Sequence, residues 1–279
     1  MRIIDVHAHI FERAEGYPYG YTVRELVEDM DKAGVSAAVI LQNPTYGSIN
    51  DYVRIALDSY SERFVGTIQV DPLSVDSCTE IERYASPLQN SLKLEISEGW
   101  GWSGKYPGLS LLDDRILKMF DTVSRLGLRV IIDPGPVGGN GYQVENIAEL
   151  ARRYPDTKIL VEHLGYLTPD RRDAASMARW RQMIALGRDF ANVFFGTSAV
   201  GTLLEEPYPC TGSQELIREA TETMGAGKLM WGSDLPSTFK EYTYMQMADV
   251  ILKECTFLSD DDKVAIMGLN AVGFFGFKP

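Results

Sequence analysis

The chain has 279 residues, 45% of them hydrophobic and 24% charged, enough apolar side chains for a large core and too ordinary a mixture for a disordered, collagen-like or coiled-coil protein. Its 39 acidic against 27 basic side chains leave a formal charge of −12, a field that repels a nucleic-acid backbone, so no nucleic-acid partner is expected. No apolar run reaches the roughly 18 residues of a membrane span, and the opening MRIIDVHAHI lacks the charged and then apolar pattern of a secretion signal, so neither a span nor a leader is expected.

Strand-like runs alternate with helical ones along the chain. The first strand is expected over Ile3–His9 and the first helix over Tyr21–Ala33, where Thr22 and Glu25 are spaced as a capping box and Val23, Leu26, Val27 and Met30 share a face. Gly34 ends that helix. There follow a strand at Ala37–Leu41, a helix at Ile49–Tyr60, a strand at Phe64–Val70, a helix at Ser74–Ala85 and a fourth strand at Ser91–Ile96. A Gly- and Trp-rich loop, Ser97–Ser110, leads to a helix at Leu112–Leu126, a fifth strand at Arg129–Asp133 and a second Gly-rich loop, Pro134–Gly141. A helix at Val144–Tyr154 precedes strand six, Lys158–Glu162; strand seven is Asn192–Gly196 and strand eight Lys228–Trp231, with no helix marked between strands six and seven. Helices at Gln214–Thr223, Tyr242–Cys255 and Asp260–Met267 complete the chain.

This alternation implies a parallel sheet with right-handed crossovers. Eight units without a linker favour a single (β/α)8 TIM barrel over residues 1–279, its last helix closing the barrel. An open doubly wound sheet is the alternative, but no G-x-G-x-x-G follows the first strand. Cys78, Cys210 and Cys255 are odd in number and unpaired in spacing, which predicts a reduced, cytoplasmic setting.

Barrel active sites lie at the carboxyl ends of the strands. Only three histidines occur, and each falls there: His7 and His9 on strand one, His163 after strand six. Residues two apart on a strand face the same way, so His7 and His9 can share an ion at roughly 2.0–2.1 Å from each nitrogen. Glu95, Asp133 and Asp234 occupy the ends of strands four, five and eight. Each has a plain structural reading. An H-x-H pair is often packed, an Asp after Gly-Ser commonly caps a turn, and Asp133 before Pro134 and Gly135 reads alone as a turn residue. Glu95 alone reads as a paired strand residue and His163 as a core histidine. Their joint placement at one barrel mouth argues for a shared site.

The runs IIDVHAHI, VEHLG and WGSDLP, with GLNAVGFFGF near the end, resemble the amidohydrolase superfamily, and within it the amidohydrolase-2 branch of lactone hydrolases, non-oxidative decarboxylases and related lyases. The resemblance implies that His7 and His9 are a metal pair and that Glu95 occupies a position holding a ligand in some members. It implies that His163 polarises the substrate, moves a proton or joins the ligands, and that Asp234 is both ligand and general base. The implied cofactor is a divalent metal, zinc foremost, with manganese as an alternative. Metal-dependent decarboxylases of the branch carry a histidine on strand five, where VIIDPG has Asp133; this departure also resembles lactonases, some of which work without metal.

The function expected is therefore metal-dependent hydrolysis of a lactone, ester or amide bond in a small carboxylated compound. The alternatives are non-oxidative decarboxylation of an aromatic or dienoic acid, or a barrel that binds a ligand without catalysis. Substrate contacts are expected from Trp100, Trp102 and Tyr106 by stacking or as a lid, from Lys93 and Arg171 by pairing with a carboxylate, and from Asp133, with Gln42 and Tyr46 as weaker candidates. Lys93 shares the parity of Glu95 only if strand four is regular. A homo-oligomer is left open.

Overall fold

A computed structural model describes residues 1–12 and 20–278. Eight parallel strands follow one another in order around a barrel: β1 Ile4–His9, β2 Ala37–Leu41, β3 Phe64–Ile68, β4 Gln89–Glu95, β5 Arg129–Asp133, β6 Ile159–Val161, β7 Val193–Gly196 and β8 Leu229–Met230. Beyond β8 the backbone continues against β1. Val6 N donates to the Trp231 carbonyl at 3.0 Å and His9 N to the Leu235 carbonyl at 2.8 Å, which bring the first and last strands together. The strands read as nearly continuous apolar runs because both faces are covered.

Helices wrap the outside: α1 Val23–Ala33, α2 Asn50–Ser59, α3 Ser77–Tyr84, the single turn α4 Trp102–Lys105, α5 Asp114–Arg125, α6 Val144–Arg153, α7 Ala174–Asp189, the single turn α8 Val200–Leu203, α9 Thr211–Met224, α10 Tyr244–Asp249, α11 Asp260–Val264 and α12 Asn270–Phe275. The expected Thr22 and Glu25 capping box is present, and Gly34 ends α1 in a left-handed conformation. α7, sixteen residues long, is the longest helix not expected from the sequence; the single turns α4 and α8 and the terminal α12 are the others. The signals of α7 exist: Asp173 accepts from the backbone N–H groups of Ala175 and Ser176, and Trp180, Met183, Ile184 and Gly187 share a buried face. Arg179, Arg181 and Arg188 interleave with that face and break the apolar pattern. No helix among the described residues is long and apolar enough to cross a membrane.

Two packed layers result. The larger lies between strands and helices and includes Ala8, Ile40, Leu92, Leu94, Val130 and Ile132. The smaller fills the barrel with Ile4, Val6, Ala37, Val39, Ile131, Leu160 and Met230, and Phe274 and Phe275 of α12 join it from below. Asn90 and Arg129, at the amino ends of β4 and β5, donate to the carbonyls of Phe275 and Phe274 at 2.9 and 2.8 Å. The C-terminal helix thus seals the end opposite the site.

One irregularity decides where the first histidines point. Asp5 pairs with Ala38 and Ala8 with Ile40, so Val6 and His7 stand against Val39 alone. The bulge is this Val6–His7 pair. Pairing is regular again at Ala8 and His9, and His7 and His9 enter the barrel mouth together. Strand β4 has no such break against β5: Lys93 pairs with Ile131 and Glu95 with Asp133, so Lys93 points into the barrel with Glu95 and not toward the helices.

Candidate active site

His7 Nδ1 lies 2.8 Å from Glu162 Oε2, and His9 Nδ1 lies 3.0 Å from the Leu41 carbonyl. Each acceptor takes the Nδ1 proton and leaves the Nε2 lone pair facing inward. The two Nε2 atoms are 3.1 Å apart, and Asp234 Oδ1 is 3.4 Å from the first and 3.1 Å from the second. Three acceptors converging this way repel one another unless a proton or cation sits among them. Donors bound about 2.0–2.2 Å from a shared ion stand about 2.8–3.6 Å from each other, along the edges of an octahedron or tetrahedron. The triangle of His7, His9 and Asp234 has those edges, so the donor set fits a divalent cation.

Asp234 is held in place by β1. Its N–H donates to the His7 carbonyl at 2.7 Å. The preceding Ser233 donates its N–H to Asp5 Oδ1 at 2.9 Å, and Tyr244 donates its hydroxyl to Asp5 Oδ2 at 2.6 Å. Burial pushes Asp5 up to about 6 despite these hydrogen bonds. At Asp234 burial also favours the neutral acid, but positive charge on His7 and His9, as when a proton sits among the three groups, outweighs it and holds the carboxyl well below its usual range. His163, Ala199 and Asp234 all have left-handed backbones, φ 55°, 53° and 61°, just after β6, β7 and β8. Non-glycine residues there are strained, and such strain gathers at functional sites.

His163 is a different kind of histidine. Its Nε2 donates to Asp133 Oδ2 at 3.1 Å and its Nδ1 to the Ser198 carbonyl at 3.1 Å. Burial disfavours its charge, but Asp133 more than compensates and raises the pKa to about 10. An imidazolium donating from both nitrogens has no lone pair for a metal, which places His163 outside the ligand cluster in this arrangement. Glu95 also stands outside the cluster: Oε1 accepts from the Ser97 hydroxyl at 2.6 Å and Oε2 lies 3.5 Å from Lys93 Nζ. Burial and the neighbouring Asp133 lift Glu95 to about 8. Burial works against the charge on Lys93, yet Glu95 and Asp133 raise its pKa overall.

The mouth opens into a cavity of about 190 Å³ lined by His7, His9, Glu95, Asp133, His163 and Asp234. Of the residues expected to touch substrate, Trp100 and Asp133 line it, as does Tyr46, whose ring stands edge-on to His9 at 5.5 Å. Trp102 does not: it is buried and stacks on Tyr106 at 6.2 Å. Arg171 points elsewhere, to Asp170 at 3.3 Å and beside Gly138. Lys93 is buried within the barrel, and Gln42 is spent on Asn50 and Thr67. Lys240 is the Lys or Arg side chain that does line the cavity, with no ion-pair partner among the described residues. Sequence reasoning missed Lys240, Tyr166, Ser198 and Glu162; only Glu162 had a signal, as the neighbour of His163 in VEHLG.

A parallel eight-stranded barrel thus carries paired histidines on β1 and an aspartate after β8 at its mouth, a donor set that fits a divalent cation. The chain belongs to the amidohydrolase family, in its amidohydrolase-2 branch, whose model matches residues 4–277. Members are hydrolases or decarboxylases, and the superfamily generally uses a divalent metal. Among solved structures, a candidate 2-pyrone-4,6-dicarboxylic acid hydrolase from Acinetobacter baumannii with citric acid bound is 19% identical, with a TM-score of 0.80 over 99% of this chain and 100% of that one. An amidohydrolase from Burkholderia multivorans with bound zinc is 14% identical, TM-score 0.79, over 100% of both chains. The 5-carboxyvanillate decarboxylase LigW from Sphingomonas paucimobilis is 16% identical, TM-score 0.69, over 99% of both. A comparison with curated proteins finds no match.

Proposed function

We propose that this chain is a metal-dependent hydrolase that opens a lactone, ester or amide bond in a small carboxylated compound. The observation that carries the reading is the convergence of His7, His9 and Asp234, with His163 alongside at a ring distance of 4.9 Å from His7. His7, His9 and Asp234 would hold the ion; zinc suits two imidazoles and a carboxylate, and manganese is the alternative. Such an ion, when bound, polarises a carbonyl and eases deprotonation of water.

The side chains supply the rest. Asp234, kept ionised, accepts a proton from the attacking water. His163, charged through the neutral range, stabilises negative charge as it grows on the carbonyl or leaving-group oxygen. Asp133 keeps that charge in place, a role consistent with its standing where decarboxylases of the branch carry histidine. The cavity, of about 190 Å³, suits a small molecule. Trp100 offers a face for a planar group, and Lys240 at the rim a partner for a carboxylate, the part first given to Lys93 and Arg171.

Relatives at under a fifth identity share the fold, and their hydrolase and decarboxylase names do not choose between reactions. A panel of lactones and of aromatic and dienoic carboxylates, with acid release and CO₂ release measured separately, tests the reading. Acid release without CO₂ supports hydrolysis. CO₂ release from the carboxylates would replace it with decarboxylation.

A further inference from the structure

Glu162 follows β6, immediately before His163, and is fully buried. Its Oε2 accepts from His7 Nδ1 at 2.8 Å and from the Ser198 hydroxyl at 3.0 Å. The Ser198 hydroxyl oxygen is 3.1 Å from the Nδ1 of both His7 and His163, and the Ser198 carbonyl takes the His163 Nδ1 proton. One carboxylate oxygen and one serine therefore fasten the two histidines at their outer nitrogens. The fold makes room for the carboxylate: a Cβ added at Gly196, the last residue of β7, would stand 2.6 Å from Glu162 Oε2.

A buried carboxylate is costly, and a neutral amide would fill the same space more cheaply. A carboxylate draws the Nδ1 proton more strongly than an amide oxygen does and so makes the opposite ring nitrogen more basic. In His7 that opposite nitrogen is the Nε2 facing His9 and Asp234.

We infer that Glu162 is a positioning residue that fixes the tautomer and orientation of His7 and so sets the affinity of the metal site. The inference rests on the reading that His7, His9 and Asp234 hold a cation. Ser198 is the spacer that transmits the same anchor to His163, so the metal-binding and charge-stabilising histidines are aligned by one group.

The test is zinc affinity of the metal-stripped full chain, measured by chelator competition with Zn²⁺ alone, beside a thermal melt. E162Q is expected to bind zinc about 10–100-fold more weakly while still folding. S198A leaves the carboxylate on His7 and is expected within about fivefold of wild type, the worth of one hydrogen bond. G196A displaces the same carboxylate with Glu162 intact, and is expected to match the loss in E162Q; it carries the test should E162Q not fold. A folded E162Q with wild-type affinity, or an S198A loss as large as that of E162Q, overturns the inference alone. A wild-type chain that takes up no zinc overturns the cation reading, and this inference with it.

Discussion

Asp133 and His163, at the ends of neighbouring strands β5 and β6, form a buried ion pair with Oδ2 and Nε2 3.1 Å apart. Asp133 Oδ1 is itself fixed by the Gly135 N–H at 2.9 Å. The carboxylate that departs from the branch's strand-five histidine is thus the partner that keeps the strand-six histidine charged.

Stability should record this pair. Unfolded, His163 titrates near about 6.5; folded, at about 10. A raised folded pKa contributes stability that is full below the unfolded value and lost as pH rises through the folded one. Glu95, lifted to about 8 by burial and Asp133, adds a loss in the same direction. The denaturation midpoint should therefore decline as pH rises, from about 4.5 upward through Glu95 and between about 6.5 and 10 through His163. Asp133→Asn should flatten that fall, measured by urea melts across the range; an unchanged slope would assign it to other groups.

Asp234→Asn keeps the shape of the side chain and removes the proton acceptor. Turnover should drop by roughly 10²–10⁴, the usual worth of a positioned acid or base. If Asp234 merely capped its turn, Asn would serve as well, and the variant would keep the wild-type rate on a confirmed substrate.

Lys240→Met should raise KM for a carboxylated substrate by about fivefold, the upper range for an exposed ion pair. The effect should be absent with the corresponding neutral methyl ester and should shrink in high salt. Equal effects on acid and ester would show that Lys240 does not meet a carboxylate.

Much of this was legible in the sequence because barrel strands are covered on both faces and stand out as short apolar runs. The shared direction of His7 and His9 was legible because the bulge at Val6 and His7 adds no residue between them. The same parity rule left Lys93 undecided until the regular pairing of β4 with β5 set it. α7 was hidden by three arginines on a helix whose buried face is narrow. Loop residues were the hardest: whether Trp100 or Trp102, Lys240 or Arg171 turns to the cavity depends on the path of the chain, which composition does not encode. The different duties of His163 and of the β1 pair were likewise invisible, because hydrogen-bond partners from β5 and β7 decide them.

His7, His9 and Asp234 are proposed to hold a divalent ion needed for turnover. Elemental analysis of purified wild-type protein and of the His7→Ala/His9→Ala double variant, each checked for folding by circular dichroism and assayed on the substrate panel, tests it most directly. About one divalent ion per wild-type chain is expected, and a folded double variant with neither ion nor activity. A double variant that keeps the wild-type metal content, or a wild-type enzyme fully active after exhaustive chelation, would contradict it.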